Sequence, residues 1–244
     1  MIKKVEGIVI SERAYQDSSK IIQILTYDMG IVDILAKGAK GIKSSLRNGT
    51  RKLMRGYFHI YYKEDKLSTL SNVDILNDYR NIQKDITKIS YATYLLDLAN
   101  QTMKQNKNGN IYRLLIDTLQ KIEEGYSPDI LTNILELKYL EYLGVKPIID
   151  SCSICGTKNQ IATLSSEKGG YVCGNCLTNE KMVSDKTVKL VRMFYYVDIS
   201  KITKLTIQES VKKELNQFID LYYEQYTGLF LKTKNFLKNL NKIT

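Results

Sequence analysis

The residues whose types and spacing most clearly specify chemistry are four cysteines. They fall in one window, "CSICGTKNQIATLSSEKGGYVCGNC", as Cys152, Cys155, Cys173 and Cys176. The pattern is C-x2-C, then 17 intervening residues, then C-x2-C. Two such knuckles supply four thiolates, the tetrahedral shell that zinc takes at Zn–S distances of about 2.3 Å. Gly156 and Gly174 stand where these turns favour a residue without a Cβ, so that backbone amides can point at the sulfurs. An iron–sulfur cluster also uses four cysteines but is less often built on this spacing. A redox C-x-x-C would not need a duplicate, and a disulfide pair does not suit a cytoplasmic chain. A closed shell of four thiolates leaves no position for activated water, so the expectation is one structural Zn2+ per chain, folding a module at 150–178. That module holds Lys158 and Lys168 against Asp150 and Glu167, a balance that argues for a fold staple over a nucleic-acid contact.

A second constellation is basic. "AKGAKGIKSSLRNGTRKLMR", residues 36–55, carries Lys37, Lys40, Lys43, Arg47, Arg51, Lys52 and Arg55, inside a 30-residue stretch, 34–63, without Asp or Glu. The net charge of +10 sits at the chain's two ends. Residues 1–60 have 11 Lys+Arg against 5 Asp+Glu, the last 17 residues have Lys232, Lys234, Lys238 and Lys242 with no acid, and the rest has 21 of each sign. A loop of lysines and arginines follows a phosphate backbone through counterion release, which reads no sequence. The seven basic residues of 36–55 are therefore the predicted nucleic-acid contacts. In the tail, Lys232, Lys234 and Lys238 lie beside Leu229, Phe236 and Leu240. That combination suits an acidic protein partner, or else a helix that caps the helical domain.

Catalytic candidates fail. "GAKGIKSS" lacks the glycine and lysine spacing of a phosphate-binding loop. His59, the single histidine, stands in an alternating strand with no nucleophile arranged around it. The carboxylates are scattered, where a two-metal nuclease wants them clustered. The expectation is a binding protein and not an enzyme.

The elements that must carry these residues follow from periodicity. "VEGIVIS", "KIIQILTYD", "IVDILAKG", "GYFHIYYK" and "LSTLSNVDI" read as strands, with hairpins at Asp28-Met29-Gly30 and Glu64-Asp65. Five short strands in about 75 residues suggest a small closed barrel, most commonly the oligonucleotide-binding (OB) fold. Tyr57, Phe58, Tyr61 and Tyr62 read mainly as barrel core, with base stacking as the alternative. From about residue 80 the period becomes helical. Ile82, Ile86, Ile89, Thr93 and Leu96 form one stripe, and Ile111, Leu114, Leu115, Leu119 and Ile122 another. Ser127, Pro128 and Gly144 bound a third helix, and 185–198 and 208–227 supply two more, with a short basic helix after Gly228. The chain is thus α+β: a five-stranded OB barrel over 1–79, then a helical domain over 80–244 with the cysteine module inserted. No run approaches the ~18 apolar residues of a membrane span, and the apolar run near Met1 is too short for a signal peptide, which predicts a cytoplasmic protein.

The whole chain resembles the RecO family of bacterial recombinational repair. The resemblance is carried by "GIVISERAYQDSSKIIQILTYDMGIVDILAKGAKGIKS", "LELKYLEYLGVKPIIDSCSICG", "GGYVCGNC" and "LFLKTKNFL". It implies an OB barrel, a helical domain and a non-catalytic mediator in the nucleoid. Such proteins bind single- and double-stranded DNA, anneal complementary strands and, with the partner RecR, help load RecA onto DNA coated by single-stranded DNA-binding protein. The acidic, apolar-ended tail of that last protein is the partner expected for the C-terminal lysines. A zinc-containing RNA-binding or ribosome-associated protein is the alternative.

Overall fold

Strands β1 (Ile2–Tyr15), β2 (Ser19–Thr26), β3 (Ile31–Ala36), β4 (Arg55–Tyr61) and β5 (Ser68–Asn77) open the fold in this computed structural model. The structure describes residues 1–64 and 66–240, with the side chains of 235 and 238–240 outside that description. The strands close a barrel in the order β1-β2-β3-β5-β4, with β4 paired back onto β1 and β3 parallel to β5. That order is the five-stranded Greek-key barrel of the OB fold. Its interior is filled by Val5, Val9, Ile22, Ile24, Ile34, Phe58, Ile60 and neighbouring apolar residues. The β2–β3 hairpin turns where predicted, with Gly30 at φ +67 and Thr26 Oγ1 donating to the Gly30 carbonyl at 2.9 Å.

A β-bulge interrupts β1. Val9 pairs with Ile24, but Ser11, not Ile10, pairs with Gln23. The extra residue reverses the side-chain parity, so Ser11 and Arg13 face outward beside Gln23 and Ile21.

Among the described residues the helices are α1 (Leu46–Gly49), α2 (Arg80–Gln83), α3 (Ile86–Gln105), α4 (Gly109–Glu123), α5 (Pro128–Tyr142), α6 (Asp185–Tyr196), α7 (Glu209–Tyr226) and α8 (Lys232–Leu240). Between α5 and α6 lies a two-stranded sheet of β6 (Ile161–Ser165) and β7 (Gly170–Cys173). The α4 stripe buries as the sequence suggests, with Ile111, Leu115, Leu119 and Ile122 in the core. The preceding stripe does not form. Ile82 belongs to the separate α2, Asp85 caps α3 by accepting from the Thr87 and Lys88 amides, and Ile86 is 69% exposed. The buried face of α3 instead uses Tyr91, Tyr94, Leu95, Leu98, Ala99 and Met103.

Packing groups these elements into two compact units, Met1–Glu123 with the segment from Leu231, and Glu124–Phe230. Helices α2 to α4 and the terminal α8 thus go with the barrel. Within that unit α8 docks on α3: Leu231 and Leu237 are buried and Thr233 Oγ1 donates to Asp97 Oδ2 at 2.8 Å.

Candidate metal centre and nucleic-acid interface

The two knuckles are held together by backbone pairing. Cys152 N donates to the Thr157 carbonyl at 2.7 Å and Gly156 N to the Cys152 carbonyl at 2.9 Å, which closes the first turn. Gly156 sits at φ +75, where a side chain would be strained. Gly174 has no such need, since a Cβ there would meet nothing within 4 Å. Gly170 is the glycine that matters for the second knuckle. It bridges to Ile148 at φ +153, and a Cβ would lie 2.1 Å from the Ile148 carbonyl oxygen.

The result is four free thiols whose sulfurs all lie within 4.8 Å of one another. Cys155 and Cys173 are 3.6 Å apart, close to the edge of about 3.8 Å that a tetrahedron of Zn–S bonds requires. Cys152 and Cys173 are buried, Cys176 half-buried and Cys155 exposed. Burial opposes ionisation of Cys152, but the amides of Cys155, Cys173 and Ile154 outweigh it and bring the thiol down to about 6. Cys176 moves up to about 12, held protonated by hydrogen bonds to Cys155 and Cys173. Four sulfurs at this spacing are a donor set that a dication completes by displacing thiol protons. The predicted ligands are therefore brought together, and they fit a metal ion.

The seven predicted basic residues separate into groups. Lys37, Lys40, Lys43, Arg47 and Arg51 are exposed, and among the described residues none of them has a carboxylate partner. The segment starts against the β1–β2 turn, where Lys40 N donates to the Ser18 carbonyl at 2.9 Å. Arg51 Nη2 donates to Gln83 Oε1 at 3.3 Å. Lys52 is half-buried and its ammonium is lowered chiefly by desolvation. Arg55 is committed internally: its guanidinium donates to Glu6 Oε1 at 2.6 and 3.1 Å, and Tyr112 of α4 donates to the same oxygen at 3.0 Å.

A groove of about 770 Å3 crosses the outer face of β1, β2 and β3. Ser11, Ile21, Gln23, Ile31 and Asp33 line it, with Met29 from the β2–β3 turn and Tyr62 and Leu67 from the β4–β5 connection. Arg13, Lys63, Lys66 and Lys107 add positive charge. None of the seven predicted basic residues lines this groove. The sequence signal for Lys63 was present, because it closes the acid-free stretch. Arg13 was hidden by the bulge and Lys107 by its distance along the chain. Of the four aromatic residues, Phe58 is buried in the core and the half-buried Tyr62 packs against it. Tyr57 and Tyr62 lie under Lys4 and Lys3 at 4.4 and 4.0 Å, and Tyr61 is exposed.

In the tail Lys232 is exposed, and Lys234 lies 5.8 Å from the Tyr94 ring centroid. Leu229 is half-buried and Phe236 is 56% exposed. The Lys238 and Leu240 side chains lie outside the described residues.

A closed five-stranded barrel of OB topology with a basic groove, followed by helices and a four-cysteine module, defines the class as an OB-barrel protein with a helical, metal-type extension. The family model for the recombination protein O N terminal matches residues 1–79, and that for its C terminal matches 83–235. A DNA repair protein RecO of Listeria innocua is 34% identical over 99% of this chain and 96% of its own length. Those of Bacillus subtilis and Bacillus cereus are each 31% identical, covering 100% and 99% of this chain and 96% and 99% of their own lengths. The chain belongs to the RecO family of DNA repair proteins. Among the described residues no helix is long and apolar enough to cross a membrane.

Proposed function

We propose that this protein is a non-catalytic DNA-binding mediator of recombinational repair, with residues 1–79 as the nucleic-acid-binding domain. It binds single- and double-stranded DNA, anneals complementary strands and, with RecR, helps RecA load onto DNA coated by single-stranded DNA-binding protein. The observation that carries this reading is the cation-rimmed groove on the β1–β2–β3 face, the face through which OB folds take oligonucleotides. Phosphates run along Arg13, Lys63, Lys66 and Lys107, and the exposed Lys37, Lys40, Lys43, Arg47 and Arg51 extend the positive field past the β1–β2 turn. Arg55 acts differently, tying β4 to β1 through Glu6.

Cys152, Cys155, Cys173 and Cys176 would hold one Zn2+, which when bound cross-links the knuckles and supplies no open coordination site. The chain's own contribution is the Gly156 turn and the Ile148–Gly170 pairing that preset the sulfurs. Lys232 and Lys234 offer an acidic partner peptide a basic helix face, although Leu231 and Leu237 support a packing role for α8 as well.

The test is binding and annealing of labelled single strands by the purified protein, together with capture of RecR and single-stranded DNA-binding protein from cell extract. Strand annealing and recovery of both partners is the expected result. Preference for RNA over DNA, with ribosomal proteins captured instead, would move the assignment to a zinc-containing RNA-binding protein.

A further inference from the structure

Ser11, Gln23 and Asp33 stand opposite one another on three adjacent strands, in a single cross-strand row on the floor of the groove. Their hydrogen bonds run one way. Ser11 Oγ donates to Gln23 Oε1 at 2.9 Å, and Gln23 Nε2 donates to Asp33 Oδ1 at 2.9 Å. The row therefore ends in a carboxylate with unused acceptor capacity, because Oδ2 accepts no hydrogen bond among the described residues. Asp33 is exposed, and among the described residues it forms no ion pair with the cations that line the same groove.

A carboxylate in a groove built for a polyanion costs affinity unless something that donates hydrogen bonds meets it. A phosphate cannot occupy that position. The backbone is thus directed to the cations, and the bases turn toward the floor, where the half-buried Ile31 and Met29 offer apolar surface. The four bases differ in what they present to Asp33. Guanine offers two adjacent donors, N1–H and the N2 amino group, which match the two oxygens of a carboxylate. Thymine offers one N–H between two carbonyls, and cytosine and adenine each offer an amino group beside a bare ring nitrogen. In a duplex the guanine donors are already paired.

We infer that Asp33 is a specificity-determining residue that accepts the Watson–Crick edge of an unpaired guanine, so that the groove selects single strands containing guanine. The inference rests on the reading of this groove as the DNA site. A good bidentate base contact is worth roughly five-fold or more in affinity.

The experiment uses the full chain and three labelled strands: oligothymidylate, the same strand with isolated guanines, and that strand with inosines in their places, which keep N1–H but lack the N2 amino group. Wild type should bind the guanine strand about five-fold or more tighter than oligothymidylate, with inosine between them. Asp33→Asn, whose folding is checked by thermal melting, should bind oligothymidylate more tightly than wild type and lose the guanine preference. Equal wild-type affinity for all three strands, or a preference that survives in D33N, would overturn the inference. Lys63→Gln with Lys66→Gln separates the two levels of failure. If this variant binds more weakly while guanine gives no preference, Asp33 alone loses its role. If it binds oligothymidylate as wild type does, the groove is not the DNA site and both readings fall.

Discussion

At the scale of single residues, four clustered cysteines and the Arg55–Glu6 pair carry the local chemistry. The four cysteines state their own geometry in sequence, and the structure gathers them. The roles of Arg55 and Gly174 were not legible, because each depends on a neighbour the sequence does not reveal. Arg55 belongs to a basic run but meets Glu6, 49 positions away. Replacing it with glutamine should destabilise the barrel unit by about 1–3 kcal/mol, since Glu6 is left partly buried with only Tyr112, and should leave the salt dependence of DNA binding unchanged. Chemical denaturation and a salt titration on the same variant check both halves. At the metal module, Cys173→Ser removes a buried ligand. Purified wild type should carry close to one zinc per chain by elemental analysis, and the variant much less, with its barrel still binding DNA. A wild-type protein free of metal and equally stable after chelation would show that the cluster is not a metal site.

At the scale of elements, period and turn chemistry placed most strands and helices, and the misses have identifiable causes. The bulge at Val9–Ser11 reverses a strand's parity at no cost to its apolar pattern, so alternation alone could not show Ser11 and Arg13 facing out. The stripe from Ile82 to Leu96 failed because Asp85 caps α3 and separates it from α2. The start of α5 was legible, but Ser127 at its N-cap makes no side-chain capping hydrogen bond and donates to Asp129 instead. Asp129 in its first turn accepts from the Ile130 amide and pairs with Lys212 of α7 at 2.8 Å. Burial raises that carboxyl, yet Lys212, Ser127 and the amide together hold it below the usual carboxylate range. A lowered folded pKa stabilises above the unfolded value of about 3.9 and loses that contribution as pH falls through the folded value. Asp129→Asn should therefore cost on the order of 1 kcal/mol at neutral pH and show a shallower loss of stability on acidification. Melting curves between neutral and acid pH, compared with wild type, measure it.

At the scale of the whole molecule, the excess of positive charge at the two chain ends is legible in the sequence, but a linear count cannot locate a surface. The longest basic run starts against the β1–β2 turn and reaches Gln83 of α2 at Arg51, whereas the groove itself draws Arg13, Lys63, Lys66 and Lys107 from separate segments. The central claim is that these four cations contact the phosphates of a DNA strand. The most direct measurement is the affinity for a single strand across a range of salt, for wild type and for a variant with glutamine at Arg13, Lys63, Lys66 and Lys107. Each lost phosphate contact should flatten the slope of log affinity against log salt by about 0.7, and binding should weaken for all sequences. A variant that folds normally and keeps the wild-type slope and affinity would contradict the account.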